Sequence, residues 1–203
     1  MAEKRIFFEA KGSKLEGLLA EAPGDKGVVI CHPHPLYGGS MHNNVVKALA
    51  HAYQEEEYST LRFNFRGVER SEGDFGNGVG EQEDVKAALQ TLGKKNMDLA
   101  GYSFGAWVNA LGLADFEKAQ RLIMVSPPVS VIDFSFLEHS PKIKLVICGS
   151  RDEIAEYKKV EEMLARWNDQ ALFRVIQGAD HFYSGYEEEL IDIIGEFLRE
   201  EKP

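Results

Sequence analysis

Apolar runs of strand length alternate with segments whose apolar residues recur at helical spacing along almost the whole chain. Residues 5–10 and 15–21 read as two strands, and the turn Lys11-Gly12-Ser13-Lys14 between them predicts a hairpin. Residues 27–31 form a continuous apolar run, the pattern of a strand buried on both faces. Residues 43–57 predict a helix with Val45, Val46, Leu49, Ala50 and Tyr53 on one face. A strand at 58–65 follows, then a helix at 80–93 carrying Val85, Ala88, Leu89 and Leu92 at helical spacing. A strand at 97–102 leads into a helix at 104–114, and strands are expected at 122–125, 143–148 and 172–176. Helices are expected at 156–168, with Val160, Met163, Leu164 and Trp167 on one face, and at 187–200, with Leu190, Ile194, Phe197 and Leu198 turned inward. This alternation implies an α/β fold with a mostly parallel sheet and helices on both faces. No repeat, low-complexity tract or linker divides residues 1–203, which read as a single domain. Two irregular stretches, 66–79 and 126–142, are expected at strand C-terminal ends, where such sheets bind ligands.

Composition narrows the function classes. A chain of 203 residues buries roughly 70% of its unfolded surface on folding. A formal charge of −10 argues against a nucleic-acid partner, whose protein surface is normally basic. No apolar run reaches the ~18 residues of a membrane span. Met1-Ala2-Glu3-Lys4-Arg5 lacks the apolar stretch of a signal peptide, so a cytoplasmic location is expected. Cys31 and Cys148 have no CxxC partner and read as small core residues.

The most informative segment is Leu99-Ala100-Gly101-Tyr102-Ser103-Phe104-Gly105-Ala106, a Gly-x-Ser-x-Gly between a predicted strand and a predicted helix. A serine on such a turn is lifted off the sheet with its hydroxyl exposed, and the flanking glycines avoid clashes with neighbouring backbone. The Phe104 N–H, opening the helix, is placed to face an oxyanion formed at Ser103.

Serine needs a base, so the elbow predicts an acid and then a histidine later in the chain. Asp152 follows the strand at 143–148, and His181 follows the strand at 172–176. His181 would take the Ser103 proton and Asp152 would fix the imidazole tautomer. Asp152 also suits a helix N-cap. Asp133 and Asp180 are rival acids, of which Asp180 is badly placed because adjacent side chains on an extended segment diverge. The second oxyanion donor is expected from His32-Pro33-His34-Pro35-Leu36-Tyr37-Gly38-Gly39. Proline has no N–H, which leaves His34 and Leu36. A metal site at His32, His34 and His42 lacks any recognisable zinc spacing, so no metal and no cofactor are expected. Arg66 and Arg70 suit either a substrate carboxylate or a tie to the body of the domain, the latter preferred. Tyr37, Trp107 and Phe134, with Phe75 and Phe104, suggest an apolar acyl pocket.

These residues resemble the α/β-hydrolase superfamily, and within it short, lidless serine hydrolases and esterases related to dienelactone hydrolases. The resemblance rests on the stretches 32–39, 61–67, 101–106, 149–152 and 178–182, and so covers nearly the whole chain. It implies an eight-stranded sheet whose first strands are antiparallel, with Ser103, Asp152 and His181 as the triad and Phe104 as an oxyanion donor. Residues 126–142 are too few for the helical cap many members carry, so an open site without a cap domain is expected. In the family's strand order two strands separate Cys31 from Cys148, about 14 Å at ~4.8 Å per strand, which excludes a disulfide. The expected activity is hydrolysis of a small carboxylic ester or thioester through an acyl-enzyme. A peptidase or amidase with the same triad, or a non-enzymatic binding module on this fold, are the alternatives. The expected partner is a small-molecule ester, and the oligomeric state stays open, with a homodimer among the readings.

Overall fold

A computed structural model describes residues 1–200. Its elements run β1 Lys4–Ala10, β2 Ser13–Ala20, β3 Lys26–Cys31, α1 Asn44–Glu55, β4 Ser59–Phe63, α2 Val79–Leu92, β5 Asn96–Tyr102, α3 Phe104–Leu111, β6 Ala119–Val125, β7 Ile143–Gly149, α4 Tyr157–Trp167, β8 Leu172–Ile176 and α5 Glu187–Glu200. The eight strands form one sheet in the order β1-β2-β4-β3-β5-β6-β7-β8. The pairs β1–β2 and β2–β4 are antiparallel, and the other pairs are parallel.

The hairpin is tighter than its sequence reading. Ala10 pairs with Ser13, so only Lys11 and Gly12 turn, both at positive φ (45° and 87°). Two such residues make the turn whose twist matches the flanking strands.

Alternation along the strands divides the core between the two faces. Val29 and Cys31 join the cluster built with Val85, Leu89, Val108 and Trp167, so α2, α3 and α4 cover that face. Val28 and Ile30 join the cluster built with Val45, Leu49, Ile194 and Phe197, so α1 and α5 cover the other. The chain runs from β3 outward to β4 on one side and returns to β5 on the other. The crevice where strand order reverses therefore lies between the C-terminal ends of β3 and β5. Two strands stand between Cys31 and Cys148, and both cysteines are buried and free.

Some boundaries differ from the sequence pattern for identifiable reasons. β6 begins at Ala119, since Gln120 and Arg121 hide its first turn of pairing behind polar side chains. Arg121 is drawn in by buried Asp98, at 2.7 and 2.8 Å. α3 stops at Leu111, capped by Gly112, three residues before the apolar pattern ends. β4 ends at Phe63; Asn64 still bonds Glu16 O through its N–H, and its side chain accepts from Met41 N–H. Residues 126–142 contain no helix, and the crevice has no cap. Among the described residues no helix is long and apolar enough to cross a membrane.

Candidate active site

Ser103 closes the turn between β5 and α3 with φ 53° and ψ −117°, a region that L-residues occupy only under strain. Its N–H bonds Val125 O at 2.9 Å, tying the turn to the end of β6. The flanking glycines are required by contact. A Cβ on Gly101 would lie 2.6 Å from the Gly105 carbonyl carbon and the Ala106 nitrogen, and one on Gly105 would lie 2.6 Å from the Cys31 carbonyl carbon. The turn can therefore form only where the end of β3 presses against α3.

The loop after β8 brings His181 to this turn, with Nε2 2.9 Å from Ser103 Oγ. On its other side His181 Nδ1 lies 2.8 Å from Asp152 Oδ2 and 3.0 Å from Oδ1. All three side chains are buried. The two histidine- and acid-bearing loops are fastened together: Arg151 N–H donates to Ala179 O and Gly178 N–H to Ser150 Oγ. Tyr102 O–H, from β5, donates to His181 O at 2.6 Å.

Burial by itself would push the Asp152 carboxyl up. The His181 ring, the Ala155 N–H and the Ser126 O–H outweigh it and hold the carboxyl below its ordinary value. An ionised carboxylate only accepts, so Nδ1 of His181 carries the proton and Nε2 offers its lone pair to Ser103.

The loop after β3 approaches the same turn from the other side. Leu36 N–H donates to His34 Nδ1 at 3.2 Å, opening a short 3₁₀ turn over Pro35–Tyr37. The His34 ring packs on Phe104 at 4.7 Å and on Phe75 at 5.0 Å. At the root of the loop His32 is fully buried, its Nδ1 donating to Pro33 O and its Nε2 accepting the Phe65 N–H at 3.0 Å. Burial drives its imidazole down to about 4. Among the described residues, the backbone N–H groups of His34 and Phe104 have no acceptor.

No family model matches the chain. It is 36% identical to an α/β serine hydrolase homologue from Coxiella burnetii, with TM-score 0.89 over 97% of each chain. It is 30% identical to a lidless α/β serine hydrolase from Xanthomonas campestris, with TM-score 0.91 over 100% of this chain and 96% of that one. An uncharacterised protein of Rickettsia prowazekii is 35% identical over 96% of this chain and 88% of its own length. The chain belongs to the α/β serine hydrolase family.

The remaining candidates of the hydrolase fall into place around that centre. Asp133 is spent on Ser135, accepting from its N–H and O–H at 2.8 and 2.7 Å, and Asp180 accepts from Phe182 N–H. Neither meets His181. Asp152 does not cap α4, which begins at Tyr157; its Oδ1 instead accepts from Ile154 and Ala155 within its own loop. Leu36 is exposed and its N–H is engaged by His34, which separates it from His34 as a donor. Trp107, one helical turn beyond Ser103, packs at a tilt against Phe104, ring centres 5.5 Å apart, and donates from Nε1 to Asp133 O. Tyr37 is 87% exposed at the rim, whereas Phe134 is buried in the core against Trp167, with Phe136 stacked on it.

His32, His34 and His42 do not converge on a common point. The ring of His32 is committed to Pro33 and Phe65, and His42 faces Glu69 at 3.6 Å. Arg66 forks onto the buried Asp84 carboxylate at 2.6 and 3.1 Å and anchors its loop to α2. Two residues at the site escaped the sequence reading: Ser126, 2.6 Å from Asp152 Oδ2, and Tyr183, 2.7 Å from Ser126 Oγ. No motif marks either. The single hint is that Ser126 follows β6 as Ser103 follows β5.

Proposed function

We propose that the hydrolase cleaves small carboxylic esters or thioesters through an acyl-enzyme on Ser103. The observation that supports this reading is the unbroken chain Ser103 Oγ, His181 Nε2, His181 Nδ1, Asp152 Oδ2, with neighbouring atoms 2.9 and 2.8 Å apart. In the first half-reaction Ser103 Oγ attacks the carbonyl carbon and its proton moves to His181 Nε2. Asp152 stabilises the imidazolium. The oxyanion faces the free N–H groups of Phe104 and His34, each such donor being worth about 3 kcal/mol at the barrier. Collapse of the intermediate expels the alcohol or thiol, which takes the proton from His181. In the second half a water gives its proton to His181 and attacks the acyl carbon; the acyl–Oγ bond then breaks, His181 returns the proton to Ser103 Oγ, and the acid leaves.

The acyl group would lie against the partly exposed rings of His34, Phe75 and Trp107, which pack around the buried Phe104 beside Ser103. Such a surface favours uncharged acyl groups, since a carboxylate would lose hydration there without gaining a partner. The test is turnover of p-nitrophenyl esters of increasing acyl length, with matched amides and Ser103→Ala as controls. Ester turnover that vanishes in Ser103→Ala supports the reading. Turnover undiminished in that variant, or amides cleaved as fast as esters, contradicts it.

A further inference from the structure

The Asp152 carboxylate is met from behind by a second chain of hydroxyls. Ser126, the first residue after β6, is fully buried at φ 46° and bonds Ile147 O through its N–H. Its Oγ lies 2.6 Å from Asp152 Oδ2 and 2.7 Å from Tyr183 Oη. Tyr183, two residues past His181, is also fully buried and has φ 55°. The directions of the two bonds follow from proton counting. Ionised Asp152 only accepts, so Ser126 gives it its single hydroxyl proton, and Tyr183 must then donate to Ser126. Burial holds the Tyr183 phenol well above its ordinary value, so that proton stays in place.

Among the described residues seven non-glycines have positive φ, and three of them, Ser103, Ser126 and Tyr183, carry the hydroxyls that flank the Asp152–His181 pair. Strain concentrated at one site points to the side chains it aims. We infer that Ser126 and Tyr183 are positioning residues that lock the plane of the Asp152 carboxylate and, through it, the His181 ring.

With Ser126 in place the carboxylate accepts from one hydroxyl, two backbone N–H groups and the imidazole, leaving no freedom to rotate. Without it Oδ2 has only His181, and the carboxylate both turns more freely and takes a proton more readily. The titratable groups around the pair are Tyr102 on β5, Cys148 on β7, and Tyr183 and Asp180 beside His181, with Arg151, Glu153 and Glu156 along the loop into α4. Burial pushes Tyr102, Cys148 and Tyr183 up, so all three stay uncharged through the acid range. None of the three therefore contributes to the acid limb of activity.

The inference rests on Ser103 being the nucleophile. Its test is the rate at which a fluorophosphonate labels Ser103 from pH 4.5 to 8, which needs no knowledge of the substrate. Ser126→Ala is expected to slow labelling roughly tenfold at neutral pH, the usual effect of losing a hydrogen bond to a charged group. It also moves the midpoint of the acid limb upward by about half a pH unit. Tyr183→Phe keeps the Ser126–Asp152 bond, so both effects are smaller and in the same direction. If Ser126→Ala does not fold, Tyr183→Phe carries the test. A normal rate and midpoint in the folded variants overturns the inference, and so does a slowed rate with an unmoved midpoint, the mark of a packing defect. Wild-type protein that is not labelled at all overturns the nucleophile assignment, and the inference with it.

Discussion

Protonating His32 should destabilise this hydrolase at the root of its site. The ring is fully buried, with Nε2 holding the Phe65 N–H and Nδ1–H held by Pro33 O. A second proton would break the Phe65 bond and place an unpaired charge in the core. Burial accordingly lowers the imidazole from its ordinary 6.5 to about 4. Between those values the unfolded chain binds a proton that the folded chain refuses, so stability is complete above pH 6.5 and falls as pH drops toward 4. At about 1.4 kcal/mol per pH unit the whole gap amounts to about 3 kcal/mol, most of it lost by pH 4.5. The assay is urea unfolding followed by tryptophan fluorescence at pH 7, 6, 5 and 4.5, for wild type and His32→Gln. The variant is less stable at pH 7, because the amide replaces the ring poorly against Phe65, but its stability changes far less over this range. Other groups contribute as well. Glu3 and Asp152, held low in the fold, cost stability only below 4.5 and 3.8, while Asp84 and Asp98, pushed up by burial, act with the opposite sign. All are common to both proteins and cancel in the comparison. The same pH slope in both proteins would refute the reasoning.

Three further outcomes follow from the site. Ser103→Gly should be more stable than Ser103→Ala by about 1 kcal/mol, reversing the usual order, because φ 53° and ψ −117° strain any side chain; thermal melts of the two decide it, and an alanine variant at least as stable as the glycine one sinks the strain argument. Gly105→Ala drives a Cβ into the carbonyls of Cys31 and His32, so a loss of about 3 kcal/mol or more in chemical denaturation is expected, together with weakened activity as the His34 loop is displaced. Asp152→Asn presents His181 with an amide and selects the wrong tautomer; kcat should fall by about four orders of magnitude with KM little changed, and a drop of less than tenfold would remove Asp152 from the proposed mechanism.

The fold was legible because its strands are buried on both faces. Val28 to Cys31 cannot be anything but apolar when α1 covers one side and α2 and α3 the other. Legibility failed where side chains answer to a distant partner. Arg121 sits in a strand because Asp98 is buried beneath it, and nothing near Arg121 in the chain announces that. That Ser103, Asp152 and His181 meet was legible because each follows an apolar strand and their order is restrictive. Phe134 was misplaced because an aromatic residue in a strand-end loop looks the same whether it lines a site or, as here, packs on Trp167. Nothing in the sequence tells the N–H groups of His34 and Leu36 apart; the 3.2 Å bond from Leu36 N–H to His34 Nδ1 does. No motif marks Ser126 or Tyr183, and the two left-handed backbone conformations that aim them are not displayed by a sequence.

Whether three side chains separated by most of the polypeptide work as one reactive unit is decided most directly by covalent capture. Native protein treated with a fluorophosphonate and mapped by peptide mass spectrometry should carry a single adduct, on Ser103, absent from His181→Gln. Folded protein that stays unmodified, or an adduct on any other residue, would contradict the account.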